Sequence, residues 1–219
     1  MLSYEQVCKS ETIKTYINRA DESLSTLGYT EHSFSHVIHV ARMAGDILKT
    51  MGFDDRTVEL ARIAGYMHDI GNLVNRKDHS QSGAVMAWSI LNDMGCDPSE
   101  IATIVTAIGN HDEGTGVPVN AVAAALILAD KADVRRSRVR NKDIATFDIH
   151  DRVNYSVIDS KLTINEDKTT VTLALSVDTQ YGTVMDYFEI FMGRMLLCRK
   201  AAERLGLKFK LTINNQQVL

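Results

Sequence analysis

The chain predicts a mainly α fold: a helical bundle followed by a small C-terminal α+β extension of antiparallel strands and one long helix. Two observations carry this. Through the first two-thirds of the 219 residues, apolar side chains recur at helical spacing. After about residue 150 the texture turns to runs rich in β-branched residues that alternate in polarity. The expected division is 1–149 for the bundle and 150–219 for an accessory extension packed on it.

The helical periodicity predicts helices over about 11–26, 32–51, 54–70, 80–94, 98–110 and 119–137. Gly52 and Gly95 lie just past two of them, where C-terminal glycines belong. Pro98 after Asp97 forms an N-cap and first-turn pair, and Asn120 caps the run AVAAALILAD. The intervening DEGTGVPVN, with two glycines and a proline, reads as a fixed turn. Beyond residue 150, VNYSVI, SKLTIN and TTVTLALSVD read as strands, and NEDKT as a hairpin turn between the last two. TVMDYFEIFMGRMLLCRKAAERLG is a long amphipathic helix and KFKLTIN a final strand. On that helix Met185, Phe188, Met192, Met195 and Leu196 share one side, widened by Phe191 and Leu197. Such a face is core against the small sheet or, alternatively, a homodimer surface.

Composition narrows the function classes. Hydrophobic residues make up 45% of the chain, enough for a sizeable core, and the formal charge of -4 gives no general attraction to nucleic acid polymers or anionic membranes. No run approaches the roughly 20 apolar residues that span a bilayer. MLSYEQVCKSETIKTYI lacks a basic segment followed by an apolar one, so no secretory signal is expected. Cys8, Cys96 and Cys198 are scattered, which suits reduced thiols in a cytoplasmic protein. The glycine-rich phosphate and dinucleotide loops, the nucleophile elbow and zinc-finger spacings do not occur.

The most informative feature is His68-Asp69, adjacent within the apolar segment LARIAGYMHDIGN. Four more residues stand in comparable settings. His36 shares a helix face with Val40, Met43 and Ile47; His79 heads the stripe Gly83, Met86, Ile90; His111 ends Ile101, Ile104, Ile108; Asp130 lies with Val122 and Leu126. Taken singly, each has an ordinary explanation. A lone histidine on an apolar face is usually a hydrogen-bonded core residue, a lone aspartate the partner of a basic group, and His79 a helix-start residue. Taken together, four imidazoles and two carboxylates projecting into one bundle point to a shared metal centre. Imidazole with carboxylate suits Fe, Mn, Zn, Ni or Co better than Ca, with Mg as a further divalent option. Six donors exceed what one tetrahedral ion uses, so two ions bridged by a carboxylate are expected, with Asp69 as the natural bridge.

These residues resemble the HD-domain superfamily of metal-dependent phosphohydrolases. The similarity covers roughly residues 30–140: His36 in HSFSHVIHVARMA, His68-Asp69, and Asp130 in LILADKAD. HSQSGAVMAWSIL and AIGNHDEGTGVP are similar to the segments that carry additional histidines in its two-metal members, mapping to His79 and His111. The resemblance implies an HD-type helical bundle. It also implies hydrolysis of a phosphate ester, of a nucleotide or another small molecule, by metal-activated hydroxide. Two departures stand out: Asn72 where many relatives carry a lysine, and His39 where they often carry arginine. NHDEGTGVP is slightly similar to the cyclic-dinucleotide phosphodiesterase branch, whose longer signature is missing.

If the chain is such an enzyme, Asp69 bridges, Lys131 and Arg135 follow Asp130 as cations for the phosphate, and His32 reaches the site mouth. Asp112 and Glu113, flanking His111, are candidates for proton transfer to the leaving group. The ordinary alternatives are a basic helix end that complements the macrodipole, an exposed helix start, and a solvated loop. Two other function classes share the donor set: a di-iron oxygenase of the same superfamily, and a non-catalytic metal- or nucleotide-binding sensor.

Overall fold

The computed structural model describes residues 1–219 and is mainly helical. Two N-terminal helices, α1 (Tyr4–Lys9) and α2 (Glu11–Thr26), are capped by the side chains of Ser3 and Ser10. The bundle continues with α3 (Phe34–Met51), α4 (Asp55–Met67), α5 (His79–Asp93), α6 (Pro98–Gly109) and α7 (Ala121–Ala132). Asp97 accepts from Ser99 N and Asn120 from Ala123 N, the capping expected at both positions. Gly52 ends α3 in the left-handed conformation, φ 87°.

Residues Val122 to Ala129 of α7 are all buried. A helix that is apolar on every side belongs in the middle of a bundle, and α7 packs on α3, α4, α6 and α9. Glycines set how closely the surrounding helices approach. A Cβ on Gly65 of α4 would come within 2.7 Å of Ala41 Cα on α3. One on Gly71, in the 3₁₀ turn Ile70–Leu73, would come within 1.9 Å of the His79 carbonyl. Both contacts draw helices together beside the His68-Asp69 pair.

The C-terminal part holds α8 (Ile149–Ser156), β1 (Val157–Ile164), β2 (Thr170–Val177), α9 (Val184–Arg204), β3 (Lys208–Ile213) and the short β4 (Gln216–Gln217). Its sheet runs in the order β1-β2-β3-β4. The apolar core is continuous from the bundle into the sheet, joining Leu126 and Ile127 with Leu173 and Leu211. No helix is long and apolar enough to cross a membrane.

Four local expectations change. The sheet is mixed: β1–β2 and β3–β4 are antiparallel, but β2–β3 is parallel, with Val171 opposite Phe209. The 21-residue helix α9 between β2 and β3 is the crossover a parallel pair requires. VNYS, through Ser156, is helical, because Asp148 caps α8 by accepting from Asp151 N and the short alternation does not outweigh that start. The helix expected over 119–137 stops at Ala132, where the Asp133 side chain turns to His36 and Arg135 becomes extended. On α9 the buried stripe is Tyr187, Phe191, Met195, Cys198 and Ala202, while Met185, Met192 and Leu196 are exposed. The Met-rich face expected as one surface is therefore divided between core and exterior.

Candidate metal centre

The six donors from separate elements meet at one point. His36 comes from the first turn of α3 and His68 from the end of α4. Asp69 opens the 3₁₀ turn, His79 starts α5, His111 follows α6, and Asp130 sits in the last turn of α7. All four imidazoles are buried, His36 and His68 completely. Burying so many polar groups is tolerable only if each is partnered.

One nitrogen of every ring is accounted for. Nδ1 of His68, His79 and His111 donates to the carbonyls of Gly65 (2.8 Å), Arg76 (3.1 Å) and Ile108 (2.6 Å). Nδ1 of His36 donates to Asp133 Oδ2 at 2.7 Å. The four Nε2 atoms therefore carry the free lone pairs, and they converge. His36 and His68 face each other Nε2 to Nε2 at 3.3 Å, and His79 and His111 at 3.1 Å. Asp69 spans the two pairs: Oδ2 lies 3.5 Å from His36 and 3.2 Å from His68, Oδ1 3.5 Å from His79 and 3.9 Å from His111. Asp130 Oδ1 lies 3.4 Å from His36 and 3.7 Å from His68.

Neutral imidazoles with lone pairs opposed at such distances repel unless a positive charge lies among them. Donors held at about 2.1 Å from one ion are separated by roughly 3.0–3.4 Å, the range of both imidazole pairs. His36, His68 and Asp130 offer donor atoms that are mutually close enough to share an ion, and so do His68, Asp69 and His111. The chemistry of the donors, neutral nitrogen plus carboxylate, fits a divalent transition metal.

The electrostatics agree. Burial and the Arg138 guanidinium pull the His36 pKa down, but hydrogen bonds to Asp130, Asp133 and Asp69 outweigh them and raise it. Burial opposes charge on His68 as well, yet Asp69 and Asp130 push it up to about 10. Burial pushes the Asp69 carboxyl up, but the imidazoles, chiefly His68, hold it well below the usual carboxylate range. Burial pushes Asp130 up as well, but Lys131 and then the imidazoles hold it well below that range. Burial lowers His79 and, further, His111, and nearby cations add to it. This half of the cluster is thus neutral, and the His36–His68 half draws in positive charge. A proton or a metal ion answers that demand, and a metal competes with the proton.

A cavity of about 430 Å³ opens onto the cluster. Asp69, His79, His111 and Asp130 form its floor, and Arg76, Lys131, Arg138 and Arg194 its walls. The far side comes from α8, through His150 and Asn154, and from α9, through Ile190 and Phe191. The C-terminal elements therefore complete the cavity.

The remaining expected residues fall into two groups. His32 lines the cavity, its ring edge-on to His36 at 5.4 Å, and burial with the Arg138 charge keeps its pKa well below the ordinary value. Lys131 lines it too, with Nζ 2.8 Å from Asp130 and 2.6 Å from Glu113. Arg135 does not. It sits behind His36, binding Asp133 at 2.7 Å and Ser35 at 3.3 Å, because α7 ends before it and the chain there is extended. Glu113 is no proton donor: burial raises its pKa, but Lys131 and Arg194 together hold it far below the carboxylate range. Asp112 lies outside the cavity lining.

Sequence reasoning missed Asp133, Arg76, Arg138 and Arg194. Asp133 follows Asp130 by three residues, and that spacing was the available signal, masked by an expected helix. The three arginines come from distant segments and carry no local signal.

Comparison with known proteins follows the same residues. A family model of the HD domain matches residues 33–151. An uncharacterized protein of Methanocaldococcus jannaschii is 26% identical over 161 residues, 63% of this chain and 61% of its own. Ribonuclease Y of Acetivibrio thermocellus is 31% identical over 119 residues, 54% of this chain but 21% of its own, and that of Aliarcobacter butzleri 29% identical over 123 residues. The chain thus spans under two-thirds of these relatives. A solved structure of a predicted HD superfamily hydrolase from an uncultured Thermotogales bacterium is 26% identical, covering 57% of this chain and 67% of that one with a TM-score of 0.45.

Proposed function

The chain belongs to the HD-domain family, and on that premise we propose that it is a metal-dependent hydrolase cleaving a phosphate ester of a nucleotide or another small molecule. The observation that carries this reading is the convergence of four Nε2 lone pairs and two carboxylates at one end of a cavity. His36, His68, Asp69 and Asp130 would hold one divalent ion, and His79 and His111 with Asp69 would hold another. Bound there, such ions supply Lewis acidity, lowering the pKa of a water toward neutrality and offsetting charge on phosphoryl oxygens.

The chain's own groups do the rest. Lys131, Arg138 and Arg194 line the cavity together with Glu113, Asp148 and Asp151, so the walls are of mixed charge and the pull on an anionic ester would come chiefly from the bound ions. Asp133 fixes the His36 ring, and the carbonyls of Gly65, Arg76 and Ile108 fix the others, so the donors need no rearrangement. His32, neutral at the mouth, is placed to accept a proton or to bind a substrate hydroxyl. Residues 1–149 act in this reading as the metal-binding unit and 150–219 as the accessory wall.

Phosphate release from a panel of nucleotides and model esters, run with Mn, Fe, Co, Ni and Mg, tests the proposal. His68→Ala should lower the rate by at least about 100-fold, the upper end of what even an outer partner of a ligand is worth. Wild-type rates in this variant would sink the hydrolase reading. The similarity to two forms of Ribonuclease Y favours a second reading, cleavage of RNA phosphodiesters. Its test is an end-labelled RNA oligonucleotide under the same metals. The net charge of -4 and the walled cavity argue for the small ester instead.

A further inference from the structure

Of the four Lys and Arg side chains that line the cavity, three are engaged. Lys131 lies between Glu113 and Asp130, Arg194 reaches Glu113 at 3.3 Å, and Arg138 donates to the Asp133 carbonyl at 2.7 Å with that residue's carboxylate 3.7 Å away. Arg76 alone has no carboxylate partner. Its Nη1 donates to Asn72 Oδ1 at 3.3 Å and lies 3.4 Å from His79 Nε2, the ring atom turned toward Asp69. The guanidinium stands over the Tyr29 ring, 5.7 Å from its centroid. Asn72 is itself fixed, its Nδ2 donating at 3.0 Å to both the side chain and the carbonyl of Asp69. A preset guanidinium without a carboxylate partner therefore lines the cavity on the His79 side of the cluster. A partly buried guanidinium that lacks a counter-charge is best answered by an anion in the cavity.

We propose that Arg76 anchors a phosphoryl oxygen of the substrate and so favours phosphomonoesters over diesters; this rests on the hydrolase reading above. A terminal phosphate carries close to two charges near neutral pH and three free acceptor oxygens. A diester has one charge and two free oxygens. Ions held by the cluster would draw some phosphoryl oxygens, and the planar fork of Arg76 would take others, a bidentate match an ammonium lacks. Asn72 is a positioning residue that holds the fork in place.

The test begins with orthophosphate titrated into the Mn-loaded protein. Arg76→Ala should bind it roughly 10- to 100-fold more weakly, the loss expected for charge-assisted hydrogen bonds. Arg76→Lys, which keeps the charge and guards against loss of fold, should fall between the two. With p-nitrophenyl phosphate, kcat/KM in Arg76→Ala should drop by a similar factor; with bis(p-nitrophenyl) phosphate, by less than about threefold. Unchanged orthophosphate affinity in both folded variants, or equal losses for monoester and diester, overturns the assignment. If wild type binds orthophosphate through Arg76 yet cleaves neither ester, the hydrolase reading fails and the anchor stands.

Discussion

At the scale of single residues, the cluster is decided by which ring nitrogen keeps its lone pair. Asp133 makes that choice for His36 from 97 positions away in sequence. It is itself held by Arg135 Nε at 2.7 Å and lies close to Arg138. Asp133→Asn should leave the fold intact, because an amide still occupies the same space, but it weakens the orienting acceptor. Mn affinity measured by titration should fall about 10- to 100-fold, and an unchanged affinity would show that His36 is aimed by packing alone. The six donors were legible in the sequence because His36, His79, His111 and Asp130 each break an apolar periodicity and His68-Asp69 interrupts an apolar segment. Asp133 was not, since a charged residue at a helix end looks ordinary until the chain turns.

At the scale of elements, close helix contact brings the donors within reach of one another. The α3–α4 crossing passes through Gly65, where a methyl group would press on Ala41 Cα at 2.7 Å. That contact is to backbone, so neither helix can yield without moving His36 against His68. Gly65→Ala should therefore destabilise the protein by about 1–3 kcal/mol, read as a melting temperature lower by about 3–10 °C. A melting curve matching wild type would mean that the helices slide apart at no cost. Helix positions came through well from periodicity and caps, as Asn120 and Asp97 show. What failed were places where tertiary contacts overrule local texture. These were α8 in a β-branched stretch, the end of α7 at Ala132, and the parallel pairing that α9 makes between β2 and β3.

At the scale of the whole molecule, the cavity belongs to both halves of the chain, its floor from the bundle and its far wall from α8 and α9. Sequence could assign the floor but not the wall, since nothing local in residues 150–219 says which bundle end they cover. Binding at this shared site should stabilise the entire fold. Mn at about 100 times its Kd adds about 2.7 kcal/mol, a rise in melting temperature of about 5–10 °C that chelator dialysis removes. A melting temperature indifferent to Mn and to chelator would separate the cluster from metal altogether. One feature of the cluster reaches past this protein. His68, His79 and His111 each lean on the carbonyl three residues upstream, Gly65, Arg76 and Ile108. Each ring thus brings its own aiming device within a four-residue segment. A designer wishing to transplant such a centre could carry over these short segments as self-contained parts, leaving only the first histidine in need of a companion engineered from elsewhere.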